Sequence, residues 1–296
     1  MSRGSIDIDA QLDRMEAEGA IAVDSVDFGV PDATAVRREL GSTLDYFARV
    51  EREVERNVLE LQVLLPQADD RTRRFMRVWE EQELPHGWIF DRLQRELGLP
   101  ESTPNLNHIS RSLRLGGVLG HVPGVHDALM FLYFSIGAMH ERLTAVGYDL
   151  LKERLLHLGA RGFAETAVAP IRGQESTHYA YYRNSALLQR ERLADWQLHL
   201  CRIVRTRTYH PIGATTPSNR ADFGGVAVHL SGSDDVDRFA VPVQRVAQEL
   251  LVRQRDGLRL PAFVARGLRE SVAAFRARES GHRPDRDEDL DGLVPA

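Results

Sequence analysis

One cysteine, Cys201, stands in a chain of 296 residues, so no internal disulfide can staple the fold and stability has to come from a packed interior. Such sparse cysteine fits a cytoplasmic setting. Basic residues are also short: 38 Lys and Arg face 43 Asp and Glu, and the resulting charge of −5 offers no net basic field to nucleic acid. Long apolar runs are missing as well. The best candidate, ALMFLYFSIGAM, runs straight into His140, Glu141 and Arg142 and falls short of the roughly 20 residues that cross a bilayer. The opening stretch MSRGSIDIDAQLDRMEAEG has no signal-like apolar segment and is acidic where transit peptides are basic, so residues 1–31 read as a flexible, solvated leader. Core material, in contrast, is ample. With 43% hydrophobic and 27% charged residues, the chain has ordinary globular proportions, and general disorder is excluded.

Apolar positions recur at helical spacing through most of the chain. From Asp32 to Leu65 the stripe is Leu40, Leu44, Phe47, Val54, Val58, Leu61 and Leu65, and Pro66 ends it. A second helix starts at the Asp69–Asp70 capping pair and carries Met76, Trp79, Phe90, Leu93 and Leu97 before Gly98 and Pro100 stop it. These two form an antiparallel hairpin. A loop-rich crossover, Leu99 to Pro123, with a short helix expected over Ser110 to Leu115, leads to a third long helix from Val125 to Leu158. The fourth runs from Phe163 through the 180s with Val168, Ile171 and Tyr182 facing inward, and Pro170 is expected to kink its first turns. Further helices are expected over Leu188–Arg207, Asp237–Arg253 and Pro261–Arg278, with a loop from His210 to Val236 holding a short strand at Val226–Leu230. The expected layout is therefore all-α: a four-helix bundle over 32–188, a helical extension over 189–280 packed on it, and a flexible tail over 281–296.

Each apolar stripe of the bundle has a gap filled by acid, or by acid and histidine. Glu51 sits between Phe47 and Val54, Glu83 and His86 between Trp79 and Phe90, Glu141 between Gly137 and Thr144, and Glu175 and His178 between Ile171 and Tyr182. Six ionisable groups then face one interior. Four uncompensated carboxylates there would each forfeit several kcal/mol of hydration, so positive charge must sit among them. Two divalent cations supply four charges, and Glu-x-x-His places both side chains on one helix face, where a shared metal needs them. Glu51 and Glu83 lie 32 positions apart and Glu141 and Glu175 lie 34 apart, each pair straddling a turn. At about 1.5 Å per residue, both members of a pair reach similar heights in the bundle. The order Glu, then Glu-x-x-His, occurs twice and matches the ligand set of ferritin-like dinuclear iron or manganese proteins. A third Glu-x-x-His, Glu279 to His282, lies in a polar tail and is read as accidental. The first ligand is the least secure, because Glu53 and Glu55 neighbour Glu51; only Glu51 falls on the stripe, and Glu55 is the fallback.

Three segments carry a family resemblance. WEEQELPHG (79–87), MHERLTAVGY (139–148) and IRGQESTHYAYY (171–182) resemble the metal-ligand elements of the soluble acyl-carrier-protein desaturases, over a region from about Asp32 to Leu188. The resemblance implies two iron ions, with manganese as the alternative, held by Glu51, Glu83, His86, Glu141, Glu175 and His178. It also implies O2 as co-substrate, Thr144 as a catalytic residue near the oxygen side, a ferredoxin-type electron donor and an acyl carrier protein as partner. The expected activity is removal of two hydrogens from an unactivated C–H site of a fatty acyl chain, in fatty acid metabolism. Three departures stand out: Gln174 replaces the family's aspartate, His140 its glutamine, and Pro85 falls inside a ligand motif.

Alternatives remain open at this level. The same site suits a hydroxylase or N-oxygenase of a smaller metabolite, or a non-catalytic iron-binding protein. Trp79, Trp88 and Tyr182 are candidates for electron transfer or for plain core, and Met130, Phe134 and Gly137 for a substrate channel or packing. Arg202, Arg205 and Arg207 form a basic run that suits an acidic carrier or a solvated face. Cys201 reads as a small hydrophobe, His199 and His210 as surface or capping residues, and a homodimer is compatible with a bundle of this kind.

Overall fold

A computed structural model describes residues 7–106, 117–122, 124–214, 216–252 and 260–281, and among these it is helical with no strand. Helix α1 spans Ile8–Glu18, α2 Ala33–Arg52, α3 Val54–Leu64, α4 Asp70–Glu96 and α5 Val125–His157. After a one-turn helix at Arg161–Phe163 and a π turn at Ala164–Val168 come α6 (Ala169–Arg192), α7 (Asp195–Thr208), α8 (Pro217–Ser231), α9 (Asp237–Leu251) and α10 (Ala262–Glu279). The helix expected over 110–115, the tail and His282 lie outside the described residues.

The bundle consists of two helix pairs, α2–α3 with α4 and α5 with α6, each joined by a short turn. Their boundaries follow local chemistry. The Asp69 side chain accepts the Thr72 backbone N–H at 2.8 Å and starts α4, as its capping position predicts. The stripe over 32–65 breaks at Glu53, whose αR backbone joins α2 to α3. Pro85 leaves α4 continuous. The carbonyl it deprives of a partner belongs to exposed Glu81, where water can serve instead. Pro170, without an N–H to give, sits in the first turn of α6, two residues past the π turn, which widens the ladder where its ring needs room.

Two expectations are corrected. The N-terminal segment is no solvated leader: an Asp7 cap opens α1, and Ile8, Leu12 and Met15, spaced i, i+4 and i+7, are buried against α4 and α6. Arg71 and Arg74 of α4 reach the acids of α1, Asp9, Asp13 and Glu16. The second is the expected strand at Val226–Leu230, which lies within α8. Thr216 caps that helix and Pro217 occupies its first turn. Its Gly224–Gly225 pair, a loop signal in sequence, instead allows α8 to press on α10. A Cβ at Gly224 would lie 2.0 Å from the Ser271 carbonyl oxygen.

Among the described residues no helix is long and apolar enough to cross a membrane. The α8–α10 contact is backbone against backbone, so Gly224→Ala should cost about 2–3 kcal/mol in urea unfolding. The exposed helical Gly173 has open space around it, and Gly173→Ala should gain about 0.5–1 kcal/mol in the same assay.

Candidate metal centre

All six expected side chains converge in the bundle interior and are buried there, His86, Glu175 and His178 completely. Glu83 of α4 points one oxygen at each imidazole: Oε2 is 3.2 Å from His86 Nδ1, and Oε1 is 3.1 Å from His178 Nδ1. Glu175 of α6 mirrors it, with Oε1 3.4 Å from His86 Nδ1 and Oε2 3.8 Å from His178 Nδ1. Glu51 approaches His86 at 3.9 Å and Glu141 approaches His178 at 4.0 Å. Two overlapping groups result, Glu51–Glu83–His86–Glu175 and Glu83–Glu141–Glu175–His178. Within each group the ligand atoms lie within 4.8 Å of one another. Glu83 and Glu175 belong to both groups. Of the three neighbouring acids, Glu51 enters the cluster, Glu55 is exposed, and Glu53 faces away to Arg56 and the Asn105 N–H.

Among the described residues, both Glu175 oxygens and His178 Nδ1 are buried without a hydrogen-bond partner, a state that costs about 1–3 kcal/mol or more per group unless an ion satisfies it. A set of four carboxylates and two imidazoles, with shared acids in the middle, fits a pair of divalent ions such as iron or manganese.

Without metal the cluster balances itself with protons. Burial raises Glu51 well above the usual carboxylate range, and the neighbouring Glu83 charge adds to it; burial and the charge of Glu175 do the same for Glu141. For Glu83 the burial penalty is outweighed by hydrogen bonds from Glu51 and His86 and by the nearby charge of His178, which hold it ionised; Glu175 is likewise held low. Burial alone would depress the histidines, but Glu175 and Glu83 overcome it and carry His86 up to about 10 and His178 to about 9. Two carboxylates then face two imidazoliums, and two acids stay neutral.

Outside this ring, the histidines are held crosswise. His86 Nε2 meets Gln174 Oε1 of α6 at 2.7 Å, and His178 Nε2 meets Gln82 Oε1 of α4 at 2.8 Å. Tyr148, completely buried between Phe47 and Phe90, donates to Glu51 Oε1 at 2.5 Å. Gln82 carries no sequence signal of its own, because a glutamine among acids reads as surface. Thr144 is buried beside Glu51 at a small apolar cavity of about 20 Å³, and its hydroxyl has no hydrogen-bond partner among the described residues.

A larger cleft, about 360 Å³, runs between α3 and α5 and reaches Glu141. Leu61, Leu132, Ile136, Trp79 and Tyr182 form apolar walls. Gly137 lines it and is obligatory, since a Cβ there would lie 2.3 Å from the Tyr182 ring. Met130 and Phe134 are core residues away from this lining, and Trp88 is half-exposed on the outer face of α4. The basic run does not form a face. Arg205 is buried with its guanidinium 5.1 Å from the Tyr209 ring centroid, and burial lowers it to about 10, whereas Arg207 is exposed. Cys201 is buried, as expected of a small hydrophobe. No protein-family model matches this chain, and no curated protein or solved structure matches it either.

Divalent metal should displace up to four protons, from Glu51, Glu141, His86 and His178. A pH-stat titration should record acid release, and affinity should rise with pH. The metal-free fold should show the opposite trend. Histidines raised from 6.5 stabilise it fully below pH 6.5, and thermal melts should fall as pH climbs through about 9 to 10.

Proposed function

We propose that this chain is an O2-dependent oxidase that works with two iron ions held by Glu51, Glu83, His86, Glu141, Glu175 and His178. The observation that carries the reading is the sharing of Glu83 and Glu175 between two otherwise separate ligand groups. A single structural ion would need only one such group. Given O2 and an electron donor, a bound iron pair supplies the oxidising power to attack unactivated C–H bonds, which side chains lack.

The chain's residues divide the remaining work. Glu83 and Glu175 would serve both ions, Glu51 with His86 would complete the ligands of one, and Glu141 with His178 those of the other. The Gln174 and Gln82 amides keep the Nε2 protons in place, leaving each Nδ1 aimed inward. The unpartnered Thr144 hydroxyl is placed to hold or pass a proton beside Glu51. The apolar wall from Leu61 to Tyr182 would guide an apolar chain toward Glu141.

The desaturase resemblance makes the substrate a fatty acyl chain and the reaction a desaturation. A CH2–CH2 unit, O2, two electrons and two protons give a C=C unit and two water molecules, with the electrons from a ferredoxin-type donor. One observation favours a second reading, hydroxylation or N-oxygenation of a smaller free metabolite: burial of Arg205 breaks the basic run that an acidic carrier protein would dock on.

Metal analysis after anaerobic ferrous loading tests the core claim. The parent should retain about two irons per chain and Glu141→Ala clearly fewer, with O2 consumed by the loaded parent on reduction. No retained metal in the parent would overturn the reading. Two irons without O2 uptake would make the protein a non-catalytic iron binder. Product analysis with carrier-bound and free acyl chains then separates the first reaction from the second.

A further inference from the structure

Both hydrogen-bond chains that leave the histidines end at the same backbone atom. From His86, Gln174 accepts through Oε1, and its Nε2 donates to the Gly19 carbonyl at 2.7 Å. From His178, Gln82 accepts through Oε1, and its Nε2 donates to the Gly19 carbonyl at 3.2 Å and to the Met15 carbonyl at 2.9 Å. Gly19 is the residue that ends α1. Its backbone, φ 65° and ψ −170°, lies in a region that essentially only glycine enters. A Cβ on Gly19 would meet nothing within 4 Å, so the position is glycine for its conformation and not for space.

We infer that the C-terminal end of α1 is the outer anchor of both metal-binding histidines, with Gly19, Gln82 and Gln174 as positioning residues that link the docking of α1 to the occupancy of the site. The inference rests on the dinuclear reading above. Its physics is a linkage: an imidazole whose Nε2–H is tied down offers its Nδ1 in one direction, and a metal that fixes the Nδ1 side in turn fixes the glutamine and the carbonyl behind it. The Met15 carbonyl already accepts the Gly19 N–H at 3.1 Å and takes the Gln82 amide as a second donor, while the Gly19 carbonyl lies beyond the helix end, so the two amides also tie down the cap of α1. The exposed ion pairs from Arg71 and Arg74 to α1 add little, which leaves its docking to the buried Ile8, Leu12 and Met15 and to these amides.

Gly19→Ala is the discriminating variant, because it adds one methyl in open space and alters only the backbone preference. Gly159→Ala is its control: Gly159 also has positive φ, 78°, with nothing within 4 Å, at the far end of α5. Anaerobic Fe2+ titration against a chromophoric chelator should show affinity weakened about tenfold or more in Gly19→Ala, Gln82→Leu and Gln174→Leu, and unchanged in Gly159→Ala. Hydrogen exchange on the parent should show α1 amides slowed about fivefold or more by Fe2+. In Gly19→Ala that slowing should be lost. Parent-like affinity in Gly19→Ala, or α1 exchange indifferent to metal in the parent, would overturn the anchor while leaving the dinuclear site standing. A parent that binds no Fe2+ would instead remove the dinuclear reading, and the anchor with it.

Discussion

The constraint on which this structure depends is the presence of four carboxylates and two imidazoles in one dry layer of a helical bundle. An ionised group moved unpaired into such an interior loses several kcal/mol or more of hydration, and six of them at one level would unfold a domain of ordinary stability. They are tolerable only as a set with zero net charge. Protons on Glu51, Glu141, His86 and His178 achieve this without metal, and a pair of dications would achieve the same. The helices around the layer are long because they must present these groups and still bury apolar surface above and below them.

The layer also cross-links the helix pairs. On α4 and on α6 the sequence is Gln-Glu-x-x-His, so each helix provides a shared acid, a histidine three residues on, and a glutamine just before the acid. The glutamine and the histidine, four residues apart, share one helix face, and both project toward the other of these two helices. Each imidazole is therefore oriented by the opposite helix: His86 by Gln174 and His178 by Gln82. A shift of α4 along α6 would break both bonds together.

The sequence made the bundle and the six side chains legible because an acid on an apolar stripe is costly and so stands out. The same test separated Glu51 from Glu55. Features that break no local rule were invisible. Helix α1 is short and acidic, and its three apolar residues are too sparse a sequence signal to mark a docked helix; what completes its docking, the two amides of α4 and α6, is a tertiary feature. Gly224 and Gly225 resemble turn residues in sequence, and only the partner helix α10 explains them as contact points. Arg205 looked solvated because its neighbours Arg202 and Arg207 are polar too; the helix turn that places it over Tyr209 is a tertiary fact.

The outer layer follows from the same charge argument. Had Gln82 and Gln174 been carboxylates, the interior would hold six acids against two dications, and two further buried protons would be needed to restore neutrality. Amides orient the imidazoles without adding charge. They also carry an N–H2 group, which a carboxylate lacks, and that group is what reaches the Gly19 carbonyl. The amides at Gln82 and Gln174 and the docking of α1 thus depend on one another: a carboxylate at either position would turn an oxygen lone pair toward that carbonyl oxygen, and α1 would lose that hydrogen bond.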